Sequence, residues 1–258
     1  MNRQCVLTDT LLAAIRLPDI CAISEGFRLS FSSVSGMKWE PLIDLQSGEV
    51  HGHEILSLLP GGVNSDAFFS ILSPTAMVEL FQLQIYLSQQ MTTYPCFLNL
   101  SVSVLINKCL CQHLANRDLK NIVVEIQDTE SLANLSQNQS KALNENLRLL
   151  MSAGADVWAD DVNPEQIPSL QKMLLPLSGV KLSRRDFQLR SQNLNSLVSV
   201  ICKLKLLAPR VVVEGIETPS QYLMATLAGA TYGQGYMWPA EVMHYVRQEK
   251  CSDLLLLS

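Results

Sequence analysis

The chain has 258 residues, 48% of them hydrophobic and 17% charged, with a formal net charge of −5. That is ample apolar material for a core, and the acidic balance does not suggest the basic surface of a nucleic-acid coat. No run approaches the ~20 apolar residues that cross a bilayer, and the N-terminus lacks the apolar stretch and cleavage site of a secretory signal, so a cytoplasmic protein with no membrane contact is expected.

The seven cysteines are scattered, and Cys109 and Cys111 form C-x-C rather than the C-x-x-C of zinc or redox sites. Reduced, mostly buried thiols are the expectation. Residues 1–37 read as an N-terminal extension, with "DTLLAAIRL" a short helix and "FRLSFSSVSG" a Ser-rich connection, and residues 38–258 read as one barrel domain. "KWEPLIDLQSGEVHGHEIL" is two strands joined at Ser47-Gly48, a hairpin signal. "SPTAMVELFQLQIYLSQQM" is a helix with Ser73 as N-cap and Pro74 in the first turn.

Short apolar strands then alternate with helices: "CFLNLS" (96–101), "IVVEIQ" (122–127), "ADVWADD" (155–161), "GVKLS" (179–183), "RVVVEGI" (210–216) and "TYGQGYM" (231–237). The helices ending "LLMSAGAD" and "ATLAGATY" each place Gly after the last turn. A final helix is expected from about Pro239, closed by "DLLLLS". Alternating strands and helices with short joins imply a parallel sheet under outer helices, and eight strands suit a closed barrel. The tight hairpin forces the first strand to run antiparallel to its neighbour. The fold expected is a modified (β/α)8 TIM-like barrel with an antiparallel first strand.

Nearly every strand carries a polar residue near its C-terminal end: Glu54, Asn99, Glu125, Asp160 with Asp161, Lys181, Glu214 and Gln234. In such a barrel those ends converge on the active site. Alternation puts Glu54 on one face with Gly52 and Val50, and turns His51 and His53 toward the helices. Asp160 and Asp161 cannot both point inward from a regular strand, so Asp161 joins only from the following loop. Clustered carboxylates repel, and divalent cations resolve the conflict. An all-oxygen set suits Mg²⁺ or Mn²⁺, and enough carboxylates for two ions suggests a two-metal site acting on phosphate esters. One lysine among the acids can hold the attacking water or neutralise phosphate charge.

The chain resembles the EAL domain family. "HEILSLL", "FLNLS", "VVEIQDTES", "WADD", "GVKLS", "VVVEGIET" and "GQGYMWP" resemble its motifs, in the family's order, over about residues 38–245. The resemblance implies a metal-dependent phosphodiesterase opening cyclic di-GMP to linear pGpG, with two Mg²⁺ or Mn²⁺ ions. It implies that Glu54, Asn99, Glu125, Asp160, Asp161 and Glu214 are metal ligands, and that Lys181 contacts the catalytic water beside Glu54 and Glu214. Gln234, Glu40 and Leu58 fall at substrate-binding positions, and Asp128, Glu217 and Ser183 at positions behind them. No sensor or cyclase domain is visible, so the sequence reads as a standalone member. The family's loop after Asp161 often lies at a dimer contact, so a homodimer and a regulatory protein partner both fit.

Several positions depart from the family pattern. Leu58 stands for an arginine, Glu40 for a glutamine, Asp128 for a glutamate and Ser183 for an aspartate. After Asp161 the pattern D-D-F-G-T-G is replaced by "DDVNPEQIP", which lacks both glycines. Asn163 and Glu165 tolerate glycine's backbone angles poorly. The alternative to catalysis is therefore a weak or inactive member, acting as a cyclic di-GMP receptor or protein-interaction regulator.

Overall fold

The computed structural model describes residues 34–244 except Gly62. The expected helix in residues 1–33, the tail beyond residue 244, and Cys5, Cys21 and Cys251 lie outside the described residues. The hairpin forms as its turn chemistry dictates. β1 (Gly36–Asp44) and β2 (Val50–Leu58) are antiparallel, with Trp39 opposite Ile55 and Glu40 opposite Glu54. β3 (Cys96–Leu100), β4 (Ile122–Ile126), β5 (Asp156–Val162), β6 (Gly179–Leu182), β7 (Arg210–Val213) and β8 (Tyr232–Gly233) follow in parallel. β8 pairs antiparallel with β1, which closes an eight-stranded barrel. The barrel is the one expected, with its antiparallel first strand.

The helices are laid on by apolar faces and explicit caps. The helix at Pro74–Met91 starts from Ser73, whose side chain accepts a bond from the Ala76 amide, and buries Val78, Phe81, Leu83 and Leu87. Ser136 caps Gln137–Ser152 in a reciprocal box with Gln139, and Thr218 does the same with Gln221 for Pro219–Leu227. Such caps satisfy amides that have no partner inside the helix. Among the described residues no helix is long and apolar enough to cross a membrane.

Four expectations need correction. Where a last helix was expected from Pro239, Glu241–His244 forms a ninth strand, β9, antiparallel to β1. β8 is too short to cover the whole edge of β1, and β9 takes the vacant length opposite Gly36–Trp39. The reading "TYGQGYM" as one strand shrinks to two residues. Gly235 has φ +150 and lies so close to Ile216 that an added Cβ would sit 2.4 Å from its backbone, and the chain turns away there. His51 does not point to the helices. The β1–β2 register skips it between Gly52 and Val50, a β-bulge that turns it to stack on Tyr232 at 4.0 Å. His53 does face outward, edge-on to Trp39 and Tyr94. Of the four described cysteines, Cys96 and Cys111 are buried but Cys109 and Cys202 are exposed, so only half of the described thiols are buried; all four are free.

Candidate active site and metal centre

The barrel interior is filled in layers, because side chains alternate in and out along every strand. Leu42, Phe97, Val123, Trp158, Val212 and Tyr232 form one closed apolar cluster near the bottom. Two residues further toward the open end, the same strands present Glu40, Asn99, Glu125, Asp160, Glu214 and Gln234. Gly52 and Gly179 hold the matching lower positions for Glu54 and Lys181. A Cβ on Gly179 would come within 2.3 Å of the Trp158 indole, so that ring occupies the space beneath Lys181. The polar residues are therefore the second storey of one barrel.

Lys181 is at the centre of this layer and wholly buried. Its Nζ lies 2.9 Å from Glu54 Oε2, 3.1 Å from Glu125 Oε1, 3.2 Å from Asp160 Oδ1 and 3.0 Å from Glu214 Oε1. An ammonium has three protons, so it cannot satisfy four carboxylates. The contact to Glu54 has hydrogen-bond geometry, whereas those to Glu125 and Asp160 do not. Glu54 also accepts from the side-chain amides of Asn99 at 3.0 Å and Gln234 at 2.8 Å.

This asymmetry sets the electrostatics. Burial pushes the Glu54 carboxyl up, but Lys181 and the amide donors outweigh it and hold Glu54 below the ordinary range. Glu125 and Glu214 are driven well up by burial, which Lys181 only partly offsets against their acidic neighbours. Asp160 is raised to about 6, by burial first and then by Glu54 and Asp161. Burial works against the Lys181 ammonium, but Asp160, Glu125, Glu54 and Glu214 together keep it charged far above the usual range.

Asp161 arrives by a route that differs from the expectation. It is inside β5, not in the loop beyond it. The β5–β6 register runs from Ala159 opposite Val180 to Val162 opposite Leu182, so Asp160 and Asp161 together oppose Lys181 alone. That is a bulge, two residues against one, and it leaves Asp160 buried in the layer with Asp161 exposed beside it. Asp161 takes φ +49, left-handed backbone that aspartate adopts more readily than most residues. Its charge acts on both Asp160 and Glu214. The strain expected at Asn163 and Glu165 does not arise, since neither has positive φ. Instead Asn163 and Gln166 exchange side-chain bonds to each other's backbone amides, at 2.9 and 3.2 Å. Gln166 also donates to the Thr129 hydroxyl, which donates to the Asp160 carbonyl at 3.1 Å. The glycine-free loop is thus tied to the strand that carries both acids.

The remaining candidates divide. Gln234 bridges Glu40 and Glu54, donating 3.0 Å to one and 2.8 Å to the other, and Glu40 is also paired with Lys38. Glu217 lies outside the ring, bonded by Arg184 at 2.6 Å. Ser183 caps the helix Arg184–Arg190 by accepting from the Asp186 amide, and Asp128 accepts from the Val102 amide at 2.7 Å. Leu58 ends β2, and its carbonyl accepts from Ser35. The mouth of the ring is lined by Glu40, Glu54, Glu214, Gln234, Arg184 and Tyr236. Lys38, Arg184 and Tyr236 were not among the candidates read from the sequence. For Lys38 a signal existed, because it shares a strand face with Glu40.

Whether this layer can hold a cation is testable on its own oxygens. Both Glu125 oxygens, Asp160 Oδ1, Asn99 Oδ1 and Gln234 Oε1 are buried without a hydrogen-bond partner. Buried polar atoms are normally satisfied, and groups of this kind suit a hard divalent ion. Glu54, Glu125 and Asp160 each offer an oxygen within 4.8 Å of the others, close enough to meet at one cation. The residues fit the group.

The EAL domain family model matches residues 33–240. The chain belongs to the EAL domain family. No curated protein matches this EAL domain chain in sequence. Among solved structures it is similar to Klebsiella pneumoniae BlrP1 in a complex with calcium and cyclic di-GMP, at 16% identity and TM-score 0.64, over 83% of this chain and 60% of that one. It thus spans less than two thirds of that protein. An EAL domain protein from Listeria monocytogenes is 17% identical with TM-score 0.61, over 82% of this chain and 90% of that one. The phosphodiesterase PaMucR, in complex with cyclic di-GMP, is 17% identical with TM-score 0.57, over 78% and 89% of the two chains. At these identities the likeness shows the barrel, and the chemistry rests on the residues of this chain.

Proposed function

We propose that this EAL domain is a metal-dependent phosphodiesterase that opens cyclic di-GMP to linear pGpG. The observation that carries the reading is the buried set of carboxylate and amide oxygens without hydrogen-bond partners around Lys181. Such a set destabilises a barrel that has no cation to hold. BlrP1 and PaMucR, which share the fold, are known as cyclic di-GMP complexes, and BlrP1 also as a manganese complex.

Glu54, Asn99, Glu125, Asp160, Asp161 and Glu214 would hold two Mg²⁺ or Mn²⁺ ions. When bound, such ions would supply charge stabilisation at the phosphate and lower the pKa of the attacking water. Lys181 Nζ, at the centre of the acids, would hold the attacking water by a hydrogen bond and offsets the negative charge of the ring. Gln234 keeps Glu54 and Glu40, which face each other across the hairpin, from repelling. Water adds across one P–O bond of the ring, leaving one phosphate as a monoester. Glu217, Ser183 and Asp128 support the site from behind by fixing Arg184 and the adjoining loops.

A second reading, a receptor that binds cyclic di-GMP without cleaving it, is favoured by Leu58, which ends β2 with no cation to offer a phosphate. One experiment separates the two. Purified protein is incubated with cyclic di-GMP in Mg²⁺ and in Mn²⁺, with Glu54→Ala as control. Formation of pGpG that the control lacks supports the enzyme. Binding in Ca²⁺ without product in either metal supports the receptor, and neither binding nor turnover overturns both.

A further inference from the structure

Among the described residues, Lys38 and Arg184 are the cations that line the open end of the acidic layer. They sit in adjoining cavities that share Glu40, Gln234 and Tyr236. Arg184 belongs to the cavity over Glu54 and Glu214, bonded to Glu217 and placed with its guanidinium 4.9 Å from the Tyr236 ring centre. Lys38 belongs to the other cavity, whose far wall is Trp238 and Pro239. A ligand with one phosphate at the acid ring extends naturally along this shared wall. The second cavity then has one cation to meet whatever charge lies there.

Lys38 is placed for that role by the hairpin. It faces Leu56 across β1–β2, two residues along from Glu40 and on the same side of the sheet. Its side chain is 31% exposed and is held by Glu40. An ammonium bonded to one carboxylate retains two protons for a ligand. The pair itself is informative: Glu40 directly opposes Glu54, a repulsive arrangement unless both are engaged. Gln234 engages the two, and Lys38 neutralises the outer one. Leu58, on the same face as Leu56, stands opposite Gly36 and diagonal to Lys38, at a separation of about 7–8 Å for such pairs.

We propose that Lys38 is the phosphate-binding residue of the second cavity, holding the phosphate of the cyclic dinucleotide that is not cleaved. The proposal rests on the functional reading above. It assigns Lys38 to the ligand and Glu40 to the positioning of Lys38.

The test compares KM for cyclic di-GMP, or Kd in Ca²⁺ should turnover be absent, in the wild type, Lys38→Met, Lys38→Met with Glu40→Gln, and Lys38→Met with Leu58→Arg. Thermal melts confirm that each variant is folded. Loss of the cation is expected to raise KM or Kd about tenfold, which corresponds to about 1.4 kcal/mol. The Glu40→Gln change should not restore affinity, and the Leu58→Arg change should restore part of it from the diagonal position. The wild-type advantage over Lys38→Met should shrink as salt is raised. Full recovery with Glu40→Gln would overturn the proposal, since Lys38 would then serve only to neutralise Glu40. Unchanged affinity in Lys38→Met would overturn it as well. A wild type that neither binds nor hydrolyses would overturn the functional reading and this inference together.

Discussion

Lys181 Nζ and Glu54 Oε2 meet at 2.9 Å although 127 residues separate them in the chain. Among the described residues it is the Lys181 contact that has hydrogen-bond geometry, and it leaves the other acids less than satisfied. Lys181→Met removes the charge while keeping most of the volume. Breaking a buried ion pair from one side costs about 3–5 kcal/mol, because the partners stay charged and buried. The melting temperature without added metal should fall by ten degrees or more. Cyclic di-GMP turnover should drop at least a hundredfold. A variant as stable as the wild type would mean that the ammonium does not hold the ring together.

Asp160→Asn should behave in the opposite way. It removes one of the mutually repelling acids and keeps the shape. The metal-free protein should melt at the same temperature or higher, while metal-dependent turnover disappears. Unfolding of this variant, or full activity, would contradict the role given to Asp160.

The pH dependence has a definite sign. Asp160 is raised to about 6 in the folded state against an ordinary 3.8, and Glu125 and Glu214 are raised as well. The folded protein therefore binds more protons than the unfolded chain below pH 6, and stability rises as pH falls. Glu54 acts the other way, because its lowered value costs stability only as pH falls below its ordinary 4.5. His51 and His53, which burial holds below the ordinary 6.5, also act the other way, because the unfolded chain takes up their protons first. With three raised acids against two histidines, melts in EDTA should still shift upward between pH 7 and pH 5. With Mn²⁺ present the trend should flatten or invert, since protons then compete with the cation. A melting temperature in EDTA that falls steadily from pH 7 to pH 5 would contradict the burial of a repelling acid ring.

Asp161 carries backbone strain at φ +49. Asp161→Gly should relieve it and stabilise the fold by roughly 1 kcal/mol in urea unfolding. The same change removes a carboxylate whose charge acts on Asp160 and Glu214, so turnover should fall. Asp161→Asn, which tolerates that backbone, should lose turnover without the gain in stability. Activity retained in both variants would remove Asp161 from the ligand set.

Gly179→Ala tests the layered interior. The new methyl would lie 2.3 Å from the Trp158 indole carbons, beneath Lys181. Overpacking of a full core costs about 1–3 kcal/mol or more, and here no flexible atom can yield. Urea unfolding should show a loss near the top of that range, with turnover reduced because Lys181 is displaced.

Much of this was legible in the chain itself. Hairpin chemistry at Ser47-Gly48, caps at Ser73, and the alternation of Val-rich strands with helices determine a barrel with a reversed first strand. A polar residue following the apolar run of nearly every strand determines that a set of acids shares one space. These are local, periodic signals, and a period of two residues is enough to say which side chains face inward. Tertiary structure decided the rest, because bulges, register and diagonal contacts depend on the neighbouring strand. His51 turns inward only because β1 skips it. Asp161 joins Asp160 only because both stand against Lys181. Residues 241–244 become a strand because a shortened β8 leaves part of the β1 edge open. Lys38 lines a cavity beside Glu40 because a wall contributed by residues 234–240 packs against the hairpin. A sequence states which residues can face inward, but the pairing of strands selects which of them meet.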